Sequence, residues 1–206
     1  MLTVHHLQKS QSERIVWLCE ELGISYELKC YQREAVGNVA PVDYKALHWS
    51  GTAPVITDGN VTLAESGAII EYIVKRYGDG RLTVAPESPE FADYLFWFHF
   101  VNGSLMPSLL MLASEGNLAA FIGKRAPRSM EALDAHLGNH QWLAGETFTV
   151  ADIMMGYPLT TRRQFFLPFD LSPYPKIREY LKRIGERPAY RRAREKGDPG
   201  MPLFLD

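Results

Sequence analysis

The sequence predicts an α/β unit followed by an all-helical one, and three stretches carry that prediction. Residues 50–73 read as a strand, a turn, a strand and a helix. Gly78-Asp79-Gly80-Arg81, with Pro86 and Pro89 beyond it, reads as a linker. Past the linker apolar residues recur at helical spacing, with no clear strand. The expected division is 1–78, a linker over 79–89, and a helical unit over 90–206.

In chain order, residues 2–7 form a short strand. Ser10-Gln11-Ser12-Glu13 has the form of a capping box, with Ser10 as N-cap and Glu13 reaching back. Ile15, Leu18, Cys19 and Leu22 make one apolar stripe, and Gly23 ends that helix. Tyr26, Leu28 and Cys30 alternate with polar residues as a second strand. Residues 42–47 form a short helix inside a long connection. Pro54 cannot donate to a ladder, which places it at a strand start or an edge. Val55 and Ile56 follow, Asp58-Gly59-Asn60 is a turn, and Val61, Thr62 and Leu63 resume the strand. Glu65-Ser66 opens a helix whose apolar face is Ile69, Ile70, Ile73 and Tyr77. The order β-α-β-(α)-β-β-α suits a small sheet covered by helices.

In the second half, residues 91–113 are apolar on most faces and rich in aromatics: Tyr94, Phe96, Trp97, Phe98 and Phe100. Such a helix is buried in a core or against another subunit. Pro107 should kink or interrupt it. Further helices are expected over 128–136, 150–161 and 174–186, with a short last one from Ala189. Thr149 is placed as an N-cap with Asp152 at the third position, and Phe148 and Ile153 as a hydrophobic staple.

Composition narrows the function classes. The net charge of −2 and pI near 6.3 argue against a nucleic-acid partner. Polar residues and Pro107 break the long apolar stretches, so no membrane span is expected. Residues 1–6 lack the pattern of a signal peptide. Cys19 and Cys30 are too few for a disulfide framework, which points to a reducing, cytoplasmic setting. His136 and His140 stand at i, i+4 but lack an evident third ligand, and His5 and His6 face opposite sides of a strand, so no metal is expected. Neither a Cys-x-x-Cys pair nor a Gly-rich phosphate loop occurs.

Two local features suggest a site. A cis Ala53–Pro54 bond would turn the Ala53 backbone toward an extended peptide, and a helix N-terminus at Glu65-Ser66 favours a carboxylate. Ala-Pro-Val-Ile followed by Leu-Ala-Glu-Ser-Gly-Ala-Ile-Ile-Glu-Tyr resembles the glutathione-binding core of cytosolic glutathione transferases. Phe148-Thr149-Val150-Ala151-Asp152-Ile153, Tyr174-Pro175-Lys176-Ile177 and Arg187-Pro188-Ala189-Tyr190 are similar to the helical half of that family. The resemblance implies a thioredoxin-like first domain, an all-α second domain and glutathione as co-substrate. It implies that Ala53 pairs with the cysteinyl backbone, that Pro54 is cis, and that Glu65 and Ser66 take the γ-glutamyl ammonium and carboxylate. The family often carries Lys just before Ala-Pro and Pro a few residues earlier; Thr52 and Trp49 stand here.

The glutathione thiol, with a free pKa of about 8.5, must ionise near neutral pH. The family places a Tyr, Ser or Cys at the end of the first strand or the start of the first helix. This chain has neither Tyr nor Cys there, and His6 stands near the tyrosine position. Ser10, four residues before Arg14, has the serine-type spacing and is the expected hydroxyl donor, with Ser12 as the alternative. A hydrophobic electrophile would face Asn102, Met106 and Phe165 or Phe166, in a pocket between the domains. The expected function is a homodimeric transferase conjugating glutathione or reducing hydroperoxides. A glutathione-dependent isomerase or dehalogenase, or a non-catalytic binding protein on the same scaffold, remains open.

Overall fold

The structure is a computed structural model that describes residues 1–206 except Ala113 and Leu167, and except the side chains of Leu118 and Ala120. The chain divides into two units: 1–81 with 186–203, and 82–185 with 204–206.

The first unit is built on a four-stranded sheet of β1 (Leu2–Leu7), β2 (Glu27–Tyr31), β3 (Val55–Asp58) and β4 (Val61–Ala64), in the order β2-β1-β3-β4. β1 runs parallel to β2 and antiparallel to β3, and β3-β4 is a hairpin. Helices α1 (Glu13–Leu22), α2 (Val42–Lys45) and α3 (Ser66–Tyr77) fall where the apolar periodicities place them. Every residue of β1 is buried because both faces of the strand are covered. Leu2 and Val4 lie with Ile15, Leu18 and Ile56 in the core, alongside Ile69, Ile70 and Ile73 of α3. Leu7 packs on the opposite face with Tyr44, Val55 and Ala64. Gly23 closes α1 in the left-handed conformation at φ 63°, where a residue without Cβ carries no steric cost.

Helix α11 (Pro188–Gly197) packs along α1 within this unit. Tyr190 meets Trp17 edge-on at 4.8 Å, and Arg187 and Arg192 pair with Glu21 and Glu20 at 2.6 and 3.1 Å. The linear division at residue 90 therefore differs from the contact-defined units, because charge pairing along α1 gathers the last helix into the first unit.

The capping box expected at Ser10–Glu13 does not form. The cap residue is Ser12, whose side chain makes no capping bond, and Glu13 pairs with Arg194 at 2.6 Å. A buried ion pair takes the carboxylate that sequence logic assigned to the helix end.

The second unit is helical: α4 (Phe91–Phe100), α5 (Met106–Leu112), α6 (Asn117–Gly123), α7 (Arg125–Leu137), α8 (Val150–Tyr157), α9 (Arg163–Phe165) and α10 (Pro175–Glu186). The expected interruption at Pro107 appears as a wide π turn at Val101–Leu105, just before the proline. A second π turn, Pro158–Arg162, follows α8. The run Phe91–Leu112 is long and apolar enough to cross a membrane by length and composition. Here Tyr94, Trp97, Phe98, Val101, Leu105 and Leu109 are buried in the protein core. Ala113, the expected end of that run, lies outside the described residues. The helix at Asn117–Gly123 was not expected from sequence.

Thr149 caps α8 as expected. Its hydroxyl accepts from the Ala151 amide at 3.3 Å, and Asp152 accepts from the Thr149 amide at 2.8 Å. Asp152 also accepts from the Leu143 amide and the Tyr180 hydroxyl, both at 3.0 Å. Asp134 of α7 caps α10 by accepting from the amides of Lys176 and Ile177 at 2.8 and 3.0 Å.

Candidate functional site

The site is assembled on the sheet of the first unit. The hairpin register pairs Val55 with Ala64. The residues just before β3 and just after β4, Ala53-Pro54 and Glu65-Ser66, are therefore neighbours at one end of the hairpin, although their starts are twelve positions apart in sequence. The Ala53–Pro54 bond is cis. Thr52 is exposed, and its hydroxyl is hydrogen-bonded to that of Ser50 at 3.0 Å. Trp49 is 93% exposed and makes a tilted ring contact with His48.

Glu65 has φ 70° and ψ 115°, a conformation that side-chain-bearing residues rarely adopt. The side chain stays exposed there, while Ser66, at the first turn of α3, is buried. Arg14, fully buried on α1, reaches across to this turn. Its Nη1 donates to Ser66 Oγ at 3.2 Å and to Gln11 Oε1. Arg14 thus ties the loop after β1 to the N-terminus of α3.

Ser10 and Ser12 lie in the loop between β1 and α1, both buried. Their hydroxyls are hydrogen-bonded at 2.7 Å, and the Ser12 amide donates to Ser10 Oγ at 3.2 Å. Ser12 Oγ also accepts from the Leu7 amide at 3.0 Å and lies 2.9 Å from His6 Nδ1. The other ring nitrogen, His6 Nε2, lies 3.2 Å from Asp198 Oδ2, just past α11. Asp198 Oδ1 accepts from the Lys9 amide at 3.2 Å. Burial opposes ionisation of Asp198, but His6, Arg194 and that amide outweigh it and hold its carboxyl below the usual range. Ser12 is fully buried and also lies 3.2 Å from the Leu7 carbonyl, and Ser10 is buried beside it.

His5 and His6 do face opposite ways. His5 contacts Tyr31 and Thr57 at 3.1 Å each, on the other side of the strand from Ser12 and Asp198. The roles of His6, Gln11 and Asp198 in this cluster were not found from sequence. Arg14 gave a signal through its four-residue spacing from Ser10, and His6 through its place near the end of β1. Asp198 gave no local signal.

In the helical unit a cavity of about 750 Å³ is lined by Phe96, Trp97, Phe100, Pro107, Arg125 and Arg128 among others. Asn102, Met106 and Phe165 are not among its lining residues. Met106 is buried, and Phe165 stacks edge-on against Phe204 at 5.3 Å.

Comparison with known proteins settles the family. Residues 1–75 match the family model described as glutathione S-transferase, N-terminal domain, and residues 109–192 match the corresponding C-terminal domain. The chain belongs to the glutathione transferase family. Glutathione S-transferase 3 of Schizosaccharomyces pombe is 33% identical to this transferase, over all of this chain and 92% of the relative. The crystal structure of a glutathione S-transferase from Actinobacillus pleuropneumoniae superposes with a TM-score of 0.88 at 35% identity, covering 98% of this chain and 95% of that one. A sphingomonad glutathione S-transferase complexed with glutathione is alike in fold at 22% identity and a TM-score of 0.75, covering 94% and 98% of the two chains. The sheet unit of this transferase is thus thioredoxin-like, and its helical unit is the all-α half of the family fold.

Proposed function

We propose that this chain conjugates glutathione to hydrophobic electrophiles and reduces organic hydroperoxides with the same thiolate. In the first reaction the sulfur bonds to an electrophilic carbon and the leaving group departs with the bond's electron pair. In the second, two glutathiones are oxidised to the disulfide as the hydroperoxide becomes an alcohol and water. The protein's part is to hold the thiolate and align it with the electrophile.

The observation that carries the reading is the hairpin register that sets Ala53-Pro54 beside Glu65-Ser66. In this reading the Ala53 backbone pairs with the cysteinyl backbone of glutathione, next to Thr52 and Pro54. Glu65 receives the γ-glutamyl ammonium, and Ser66 with the N-terminus of α3 receives its carboxylate. Ser10 is the proposed catalytic residue, donating its hydroxyl to the thiolate, while Ser12 supports it. Asn102, Met106 and Phe165 are the proposed contacts for the electrophile. A cytoplasmic homodimer is part of the same reading.

The test is calorimetric titration with glutathione, followed by turnover of an aryl halide and an organic hydroperoxide. Binding with turnover of either substrate supports the proposal. Absence of binding at millimolar glutathione overturns it in favour of a non-catalytic member of the family. In Ser10→Ala the pKa of the bound thiol should rise; an unchanged value removes Ser10 from the role.

A further inference from the structure

Residues 204–206 belong to the helical unit, although the chain just before them belongs to the first. Two anchors hold them there. Arg163 of α9, half-buried, donates from Nη2 to the main-chain oxygens of Phe204 and Asp206 at 3.3 and 2.6 Å. Its Nε donates to the Leu159 carbonyl at 2.9 Å, which fixes the plane of the guanidinium. Leu205 fills the notch at Gly185 of α10, where any added Cβ would collide with Leu205 Cδ1. Between these anchors Phe204 has φ 54°, a left-handed backbone that bulky residues rarely adopt. Such a conformation persists only where the surroundings impose it.

The arrangement places one ring. Phe204 meets Phe165 edge-on, with centroids 5.3 Å apart and planes at 85°. Phe165 is 37% exposed, so the pair keeps surface on which a third ring can pack. Phe165 also follows closely on the π turn Pro158–Arg162. Asn102 lies inside the other π turn, Val101–Leu105, and Met106 directly after it. Wide turns of this kind recur at functional sites. All three proposed electrophile contacts therefore adjoin such a turn, and Phe204 is the side chain that the anchored segment adds to them.

We propose that Phe204 is a further substrate contact: with Phe165 it forms an aromatic wall of the electrophile site, which favours aromatic electrophiles over aliphatic ones of similar bulk. Arg163 is then a positioning residue that acts through the Phe204 backbone. The inference rests on the reading of Phe165 as an electrophile contact.

The test is calorimetric binding of S-benzyl-, S-hexyl- and S-methylglutathione, whose sulfur substituents occupy the place of the electrophile. Phe204→Ala should weaken S-benzylglutathione about tenfold and leave S-methylglutathione unchanged. Phe204→Leu, which keeps apolar bulk, should restore the affinity for S-hexylglutathione but not that for S-benzylglutathione. Arg163→Met should give the same loss as Phe204→Ala, with no further loss in the double variant. Arg163→Lys, which can still donate to a main-chain oxygen, should recover part of it.

Equal weakening of all three ligands in Phe204→Ala means a structural role and overturns the proposal. So does an unchanged preference for benzyl over methyl in Phe204→Ala when Phe165→Ala lowers it. If neither variant changes that preference, the placement of Phe165 in the site falls, and the wall falls with it. Failure of the wild type to bind S-methylglutathione overturns the transferase reading instead.

Discussion

Arg14 and Ser66 meet at 3.2 Å between Nη1 and Oγ, joining α1 to the first turn of α3 beneath the strained Glu65. A buried guanidinium that also holds Gln11 fixes the distance between the loop bearing Ser10 and the helix end proposed to take a carboxylate.

Arg14→Met keeps the volume and removes the donors. Glutathione affinity should fall about tenfold, roughly 1.4 kcal/mol. Calorimetry checks this, and an unchanged Kd would remove Arg14 from the arrangement of the site. Arg14→Lys should restore little, because a point charge does not reproduce the planar fork.

Glu65 occupies a backbone region that glycine enters freely. Glu65→Gly should therefore stabilise the fold by roughly 1 kcal/mol, read as a raised urea midpoint. It should also weaken glutathione binding, because the proposed partner of the ammonium is gone. A parallel loss of stability and affinity would contradict the strain argument.

Gly197 lies where an added Cβ would stand 3.1 Å from His6 Nε2, with two ring carbons at 3.3 and 3.4 Å. The ring is pinned between Ser12 and Asp198 and cannot retreat without breaking a contact. Gly197→Ala should cost about 1–2 kcal/mol by overpacking, despite alanine's better helix propensity. Thermal unfolding decides the sign.

Burial pushes the Asp152 carboxyl up to about 6 from 3.8, although four donors pull the other way. A carboxyl with a raised folded pKa contributes stability that is fully present below its unfolded pKa and lost as pH rises through the folded one. The window is therefore about pH 4 to 6, and the contribution is roughly 3 kcal/mol. Asp152→Asn removes this titration. The stability difference between wild type and variant should shift by that amount between pH 4 and 7, measured by urea unfolding. Pairing losses that do not depend on pH cancel in the slope.

The sequence by itself determined what is local. The strand-turn-strand-helix at 54–77, Gly23 as a helix end, and the Thr149–Asp152 capping box are decided by residues a few positions apart. The wide turn before Pro107 follows from one ring and one missing amide. The pairing of Ala53-Pro54 with Glu65-Ser66 was legible for the same reason, since a short hairpin sets its own register.

Tertiary structure decided the electrostatics behind the site. Glu13 had a local partner in its own helix end and took Arg194, 181 positions away. His6 and Asp198 are 192 positions apart and meet only because α11 packs along α1. Local patterns state what each residue can bond; a buried charge takes the partner that the packed chain brings to it, and that partner is set by the folding of the whole unit.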